Sequence, residues 1–231
     1  MDLTSLEPVE RRSTAEVLAD RIREAIMRGT FPPGTQLGEV ELAAHLGVSR
    51  GPLRESMQRL VAEGLLRSEP HRGLFVRSLD AADVRDVYVA RMAVEQAAGL
   101  LLIAGDRAAA TLRLTLALAA MEAAAGDPLA LADADQAFHA ELVAASGSPR
   151  LHRMAEALLV ETRMCLAALQ QTAPPAGPLI AEHRALRDAI RDGDAARLTE
   201  VLAAHMTDAV DRILAPTAVP EAITVEPALP A

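Results

Sequence analysis

The chain has 231 residues, 51% of them hydrophobic and 24% charged, a balance that fits one or two globular domains and excludes a disordered protein. Aromatics are only 2% and Trp is absent, so any core must come from Ala, Leu, Val and Met, which suits close helix packing. The net charge of −9 lies in residues 80–231, whereas residues 1–79 are neutral and the stretch 49–77 is locally basic, so the acidic average does not exclude nucleic acid.

The first segment, "MDLTSLEPVERRSTAEVLADRIREAI", has no apolar core of a signal peptide. No run of about 18 apolar residues is free of charge, so no membrane span is expected. Cys165 is the only cysteine, which rules out an intramolecular disulfide framework and favours a reducing, cytoplasmic setting.

Residues 13–28 read as a helix. Ser13 and Glu16 have capping-box spacing, and Leu18, Ile22, Ala25 and Ile26 make one face. "RGTFPPGTQL" breaks it with Gly and two Pro. A short helix at 39–46, the turn "LGVS" and a helix at 50–63 follow, with Ser49 as N-cap and Gly64 as the stop. Strands Leu65–Ser68 and Leu74–Arg77 flank the turn "EPHRG". Three helices and a β-hairpin make a winged helix-turn-helix pattern.

In that pattern Leu42, Ala43, Leu46, Val48, Leu53, Met57, Leu60 and Val61 can form a small core, with Ser49, Arg50, Arg54, Gln58 and Arg59 outside. The second helix of such a motif sets its N-terminal side chains against base edges in the major groove. Arg50 and Arg54 can bond guanine or phosphate, and the N–H groups of Ser49–Gly51 can face a phosphate. Arg72 and Gly73 sit at the hairpin tip, within reach of the neighbouring minor groove. The plainer reading is that these arginines only solvate an exposed helix.

Residues 15–77 resemble the N-terminal domain of GntR-family bacterial transcription regulators, through "IREAIMRGTFPPGTQL", "ELAAHLGVSRGPLRESMQRLVAEGLL" and "HRGLFV". The family's Ser-Arg-Thr-Pro-x-Arg-Glu turn is matched by "SRGPLRE", with Gly51 where Thr is usual. Val40 stands where some members carry a DNA-contacting Arg. The resemblance implies DNA binding through Ser49, Arg50, Gly51, Pro52 and Arg54, with double-stranded DNA as partner.

From Asp80 onward the periodicity is helical throughout, with helices expected near 80–104, 106–125, 129–146, 148–171, 178–192 and 194–214. Short connections suggest an antiparallel bundle. The fold class is therefore mainly α: a winged domain at 1–77 and a helical domain at 78–214. The tail at 215–231 has several Pro and no helical face, and is expected to be disordered.

Of six histidines, His45, His71 and His152 read as surface residues. The other three lie on apolar stripes. Asp135 and His139 share one with Leu131, Phe138 and Leu142. His183 lies with Leu179, Leu186 and Ile190, and His205 with Leu198, Val201, Leu202 and Ala209. Burying four such groups unpaired would cost several kcal/mol. A divalent cation answers this, because an i, i+4 pair supplies two ligands and neighbouring helices supply the rest. Zn²⁺ is the first expectation, and Ni²⁺, Mn²⁺ and Fe²⁺ also suit the set. The alternative is three core histidines hydrogen-bonded to Asp135 and to backbone.

Residues 80–214 resemble the FCD effector domain of the FadR-type subfamily, through "DADQAFHAELVAASGSPRL", "EHRALRDAIRDGD" and "AAHMTDAV". Ser148–Pro149 departs from it, since Asn commonly follows "SG". The resemblance implies a divalent metal on Asp135, His139, His183 and His205. A carboxylate effector could then take the open coordination positions. Arg91 could pair with the effector's charge, as the family's R-x-x-x-E position suggests, or simply form an i, i+4 salt bridge with Glu95. Thr162 and Arg163 are weaker pocket candidates.

The expected function is a ligand-responsive transcription regulator, a repressor that binds a palindromic operator as a homodimer and responds to a small carboxylate metabolite. A regulator that senses the metal itself is one alternative. A metal-dependent enzyme fused to a DNA-binding domain is another, disfavoured because no His-Glu-x-x-His motif and no separate general base stand out.

Overall fold

A computed structural model describes residues 12–168 and 175–215. The expected disordered tail lies outside the described residues except for Ala215, as does the last turn of the helix expected to reach 171.

Helix α1 (Thr14–Met27) opens on the expected capping box. The Ser13 hydroxyl accepts from the Glu16 N–H at 3.1 Å, and the Glu16 carboxylate accepts from the Ser13 N–H at 2.9 Å. Strand β1 (Gln36–Leu37) is followed by α2 (Glu39–Leu46) and α3 (Arg50–Ala62). Between these two helices Gly47 takes a φ of +65°, a left-handed conformation that only Gly adopts cheaply. Ser49 stands at the N-cap position of α3 as expected, but its hydroxyl makes no capping hydrogen bond. The turn is therefore set by Gly47 rather than by a side-chain cap.

Strands β2 (Leu66–Glu69) and β3 (Gly73–Val76) form the antiparallel wing, with Arg67 opposite Phe75. β1 adds a third strand, absent from the expected pattern, pairing Leu37 with Leu74. Two residues are too few to show a period of two, so this strand exists only because β3 offers it a free edge. Leu18, Ile22, Leu37, Leu53, Met57, Leu60, Leu65 and Val76 close the first core.

Six helices follow: α4 (Ala81–Ala104), α5 (Arg107–Ala123), α6 (Pro128–Ala145), α7 (Pro149–Ala168), α8 (Ala176–Asp192) and α9 (Ala195–Leu214). Asp80, Asp106, Asp127 and Asp194 cap four of them by accepting from free N–H groups of the first turn. α5 lies on α6 and α8, and α4 lies on α6, α7 and α9. A Cβ on Gly99 would come within 2.6 Å of Leu198, so α9 reaches the backbone of α4 only because that position is bare. By length and composition α4 could cross a membrane. Its apolar residues serve the second core instead: Val84, Val87, Tyr88, Val94, Ala98 and Leu102 are all buried against other helices.

α7 belongs to both cores. Val160 and Met164 pack into the winged core, while Ala155, Leu158 and Cys165 pack into the bundle. Between them Glu161 pairs with Arg77, just past the wing, at 3.0 Å. The winged half is thus seated on the helix that also walls the histidine-bearing core.

Candidate metal centre and DNA-reading face

The apolar stripes on α6, α8 and α9 bring Asp135, His139, His183 and His205 together. One ligand atom from each lies within 4.8 Å of all the others. His139 Nε2 is 3.2 Å from His183 Nε2 and 3.1 Å from His205 Nε2, and Asp135 Oδ1 is 3.0 Å from His183 Nε2. The side chains of His139 and His183 are fully buried, and Asp135 is 14% exposed. Phe138 stands edge-on to His183 with ring centres 4.8 Å apart, and closes one side.

The outer nitrogen of each imidazole is engaged. His139 Nδ1 lies 2.6 Å from Glu95 Oε2, His183 Nδ1 lies 2.8 Å from the Leu179 carbonyl, and His205 Nδ1 lies 2.8 Å from Glu182 Oε2. Carboxylates and carbonyls only accept, so each Nδ1 donates. Burial pushes His139 down to about 4, which makes it neutral at pH 7 and leaves its Nε2 a bare lone pair. His183 is different. Burial opposes its charge, but the hydrogen bond to Asp135 outweighs burial and raises its pKa. That bond favours a proton on Nε2 facing Asp135 Oδ1. Burial also opposes charge on Asp135, yet that bond and the surrounding imidazoles hold it far below the usual carboxylate range.

This donor chemistry fits a divalent cation. Nitrogen atoms about 3 Å apart have the spacing of neighbouring donors on one ion with bonds of roughly 2.1 Å. A lone pair pointed at another at that distance is repulsive unless a cation lies between them. Each Nδ1 partner also supplies the outer hydrogen bond that fixes the orientation and tautomer of metal-ligating histidines.

Arg91 is buried on α4, one turn before Glu95. It is 2% exposed, and its Nε donates to Glu95 Oε1 at 3.0 Å, the i, i+4 pair. Nη1 lies 3.4 Å from the Thr162 hydroxyl, the guanidinium sits 5.1 Å from the centre of the Tyr88 ring, and Nη2 is buried without a partner. An unpaired buried donor is costly and rare, and here it offers a bond to an anion. Thr162 faces this guanidinium. Arg163 does not: it is exposed and pairs with Asp133 on the surface.

Glu95, Glu182 and Gln136 were missed. Gln136 is buried, with its Nε2 3.5 Å from Asp135 Oδ2. Glu95 carries the same signal as Asp135, an acid among apolar positions, but its spacing from Arg91 offers an i, i+4 salt bridge as the simpler reading. Glu182 lies outside the stripe of its helix and gave no signal.

On the winged half, Ser49, Arg50, Gly51 and Arg54 are exposed at the start of α3, and Pro52 is half-buried. Arg54 is not free. It donates through Nη2 and Nε to Glu39 on α2, at 2.8 Å and 3.2 Å, and Arg50 approaches the same carboxylate at 3.7 Å. Arg72 and Gly73 are exposed at the tip of the wing. Arg72 pairs with Glu69 and lies over the Phe75 ring at 5.2 Å. Gly73 has a φ of +100° and His71, beside it, a φ of +63°.

Residues 14–76 match the model of the bacterial regulatory proteins of the gntR family, and residues 86–208 match the FCD domain. The probable D-xylose utilization operon transcriptional repressor of Paenarthrobacter nicotinovorans is 32% identical over 207 residues, covering 89% of this chain and 91% of that protein. The HTH-type transcriptional repressor GlaR of Escherichia coli is 31% identical over 195 residues, covering 80% and 89%. A solved structure described as a transcriptional regulator GntR from Rhodococcus sp. RHA1 superposes with a TM-score of 0.75 at 29% identity, over 88% of this chain and 98% of that one. These relatives are named as regulators or repressors of transcription. A winged helix-turn-helix joined to an FCD helical domain makes this chain a member of the GntR family of DNA-binding bacterial transcription regulators.

Proposed function

We propose that the chain is a cytoplasmic repressor, homodimeric on a palindromic operator, whose DNA affinity is set by a small carboxylate bound beside a divalent metal. The carrying observation is the convergence of three Nε2 atoms and the Asp135 carboxylate close to Arg91, whose Nη2 is buried and unpaired. Asp135, His139, His183 and His205 would hold the metal, with Zn²⁺ first and Ni²⁺, Mn²⁺ or Fe²⁺ as alternatives. Four ligands on a six-coordinate ion leave positions for an effector oxygen. Arg91 would take the effector's negative charge through Nη2, with Thr162 beside it.

Ser49, Arg50, Gly51, Pro52 and Arg54 would meet the major groove, and Arg72 and Gly73 the adjacent minor groove. Val89, Leu100 and Leu101 on α4 and Leu112 and Leu116 on α5 are exposed apolar side chains that a second copy would cover. Effector binding changes operator affinity only if it favours one of the two states. One relative is named a probable D-xylose utilization operon transcriptional repressor, which supports repression and leaves the effector here to be identified.

The test is the metal content of untagged protein, wild type beside His183→Ala, followed by operator binding with metal alone and with metal plus a panel of carboxylates. About one ion per chain, lost in the variant, together with a carboxylate-dependent change in DNA affinity, supports the proposal. No ion after loading sinks the metal part. A response to metal alone favours the metal-sensing alternative, which the near-complete donor set also supports.

A further inference from the structure

Among the described residues Glu95 is the one acid in the bundle that touches both a candidate metal ligand and the candidate anion anchor. Its side chain is 3% exposed. Oε1 accepts from Arg91 Nε at 3.0 Å and Oε2 accepts from His139 Nδ1 at 2.6 Å. We propose that Glu95 is a positioning residue that joins the metal centre and the anion anchor into one unit. Its Oε2 keeps the His139 proton on Nδ1, which leaves Nε2 bare toward the other ligands. Its Oε1 holds the Arg91 fork by Nε, which leaves Nη2 for an anion. The inference rests on the metal-and-carboxylate reading above and adds to it the residue that sets the ligand's tautomer.

The chemistry makes a sharp demand on position 95. Two buried N–H donors need two acceptors, and a carboxylate supplies both. A glutamine supplies one acceptor and one NH₂ group. Arg91 is a cation in which every N–H only donates, so the amide oxygen of Glu95→Gln stays with Arg91. The NH₂ group then faces His139 Nδ1. His139 can answer by moving its proton to Nε2, which turns its lone pair away from the ligand cluster. Glu182 performs the same task for His205 from a half-buried place, with its side chain 23% exposed. Water can replace it there, so Glu182→Gln should matter less.

The experiment uses the full-length protein with Zn²⁺ alone as probe. Ring ¹⁵N shifts of metal-free protein, with His139 assigned by loss of its signals in His139→Gln, report the tautomer. Zinc affinity is measured by competition with a chelating dye. Wild type should show the Nδ1–H tautomer at His139. Glu95→Gln should show Nε2–H and lose about 10- to 100-fold in zinc affinity, the usual effect of removing an outer-shell partner. Glu182→Gln should lose less than Glu95→Gln.

An Nε2–H tautomer in wild type overturns the proposal. So does a Glu95→Gln protein that keeps the wild-type tautomer, whatever its affinity, or one that changes tautomer and binds zinc as before. If Glu95→Gln does not fold, the wild-type tautomer decides alone. Wild type that binds no zinc, nor any other divalent ion, overturns the metal reading itself, an outcome separable from the tautomer result.

Discussion

Arg54 on the winged half and Arg91 in the bundle each hold a glutamate, and the two pairs serve opposite ends. Arg54 is 59% exposed in its side chain and grips Glu39 from α2 in reach of water. Such a pair is worth little and exchanges easily, so a phosphate or a guanine edge can take the place of Glu39. Arg91 is 3% exposed in its side chain and cannot fall back on water. Its partner, its neighbours and its unpaired Nη2 are therefore all structural commitments. A surface arginine keeps its options open, whereas a buried one can change partners only when a ligand brings the replacement.

Arg91→Ala breaks the buried pair and is expected to have the largest effect. It leaves the Glu95 charge buried with only His139 beside it, and should destabilise the bundle by about 3–5 kcal/mol. Urea unfolding checks this, and a loss below about 1 kcal/mol would mean that water reaches the pair and that the contrast with Arg54 is false.

His183→Ala removes a direct ligand and should reduce metal affinity by at least as much as loss of an outer partner, about 100-fold. Equilibrium dialysis against a chelator measures it, and unchanged affinity would remove His183 from the centre.

On the surface side, Arg54→Ala should weaken operator binding by about 5- to 100-fold and leave thermal unfolding of the protein unmoved. Fluorescence anisotropy gives the affinity. If unfolding shifts while DNA binding does not, Arg54 is structural and the comparison inverts. Operator affinity should also fall steeply with salt, because bound phosphates release counterions.

The pH response sharpens the contrast further. His183, whose pKa is raised, must give up its Nε2 proton before that atom can bind a metal. Protons therefore compete with the ion. Metal affinity should drop as pH falls through the range in which a histidine of raised pKa gains its proton. His139, lowered to about 4, is already neutral across that range and contributes no slope. A flat affinity profile would show that His183 carries no such proton.

The smallest effect belongs to Glu39→Gln. It frees Arg54 and Arg50 from a competitor and should tighten DNA binding by a few-fold at most, as an exposed pair allows. Weaker binding would mean that Glu39 pre-orients Arg54 instead of masking it.

Much of this was legible along the chain. Asp135, His139, His183 and His205 each occupy a position that helical periodicity reserves for apolar side chains, and the six bundle helices follow from that same periodicity and its Asp caps. The Ser13–Glu16 box and the Gly47 turn are local chemistry, and they formed as the residues dictate. β1 was not legible because its pairing is supplied by β3, distant in sequence. Arg163 faces solvent although Thr162 beside it is buried, because neighbouring residues on a helix point about 100° apart and position on α7 alone does not say which of them faces inward.

The sequence by itself determined the helices, the hairpin and which four donors lie on apolar stripes, because each rests on neighbours within one or two turns. Only the tertiary structure decided what each donor meets: Glu95 shared between His139 and Arg91, Glu182 on His205, Glu39 over Arg54, and α7 packed into both cores. Those partners come from different elements. A hydrogen bond across elements depends on how helices pack, which periodicity within a single helix does not encode.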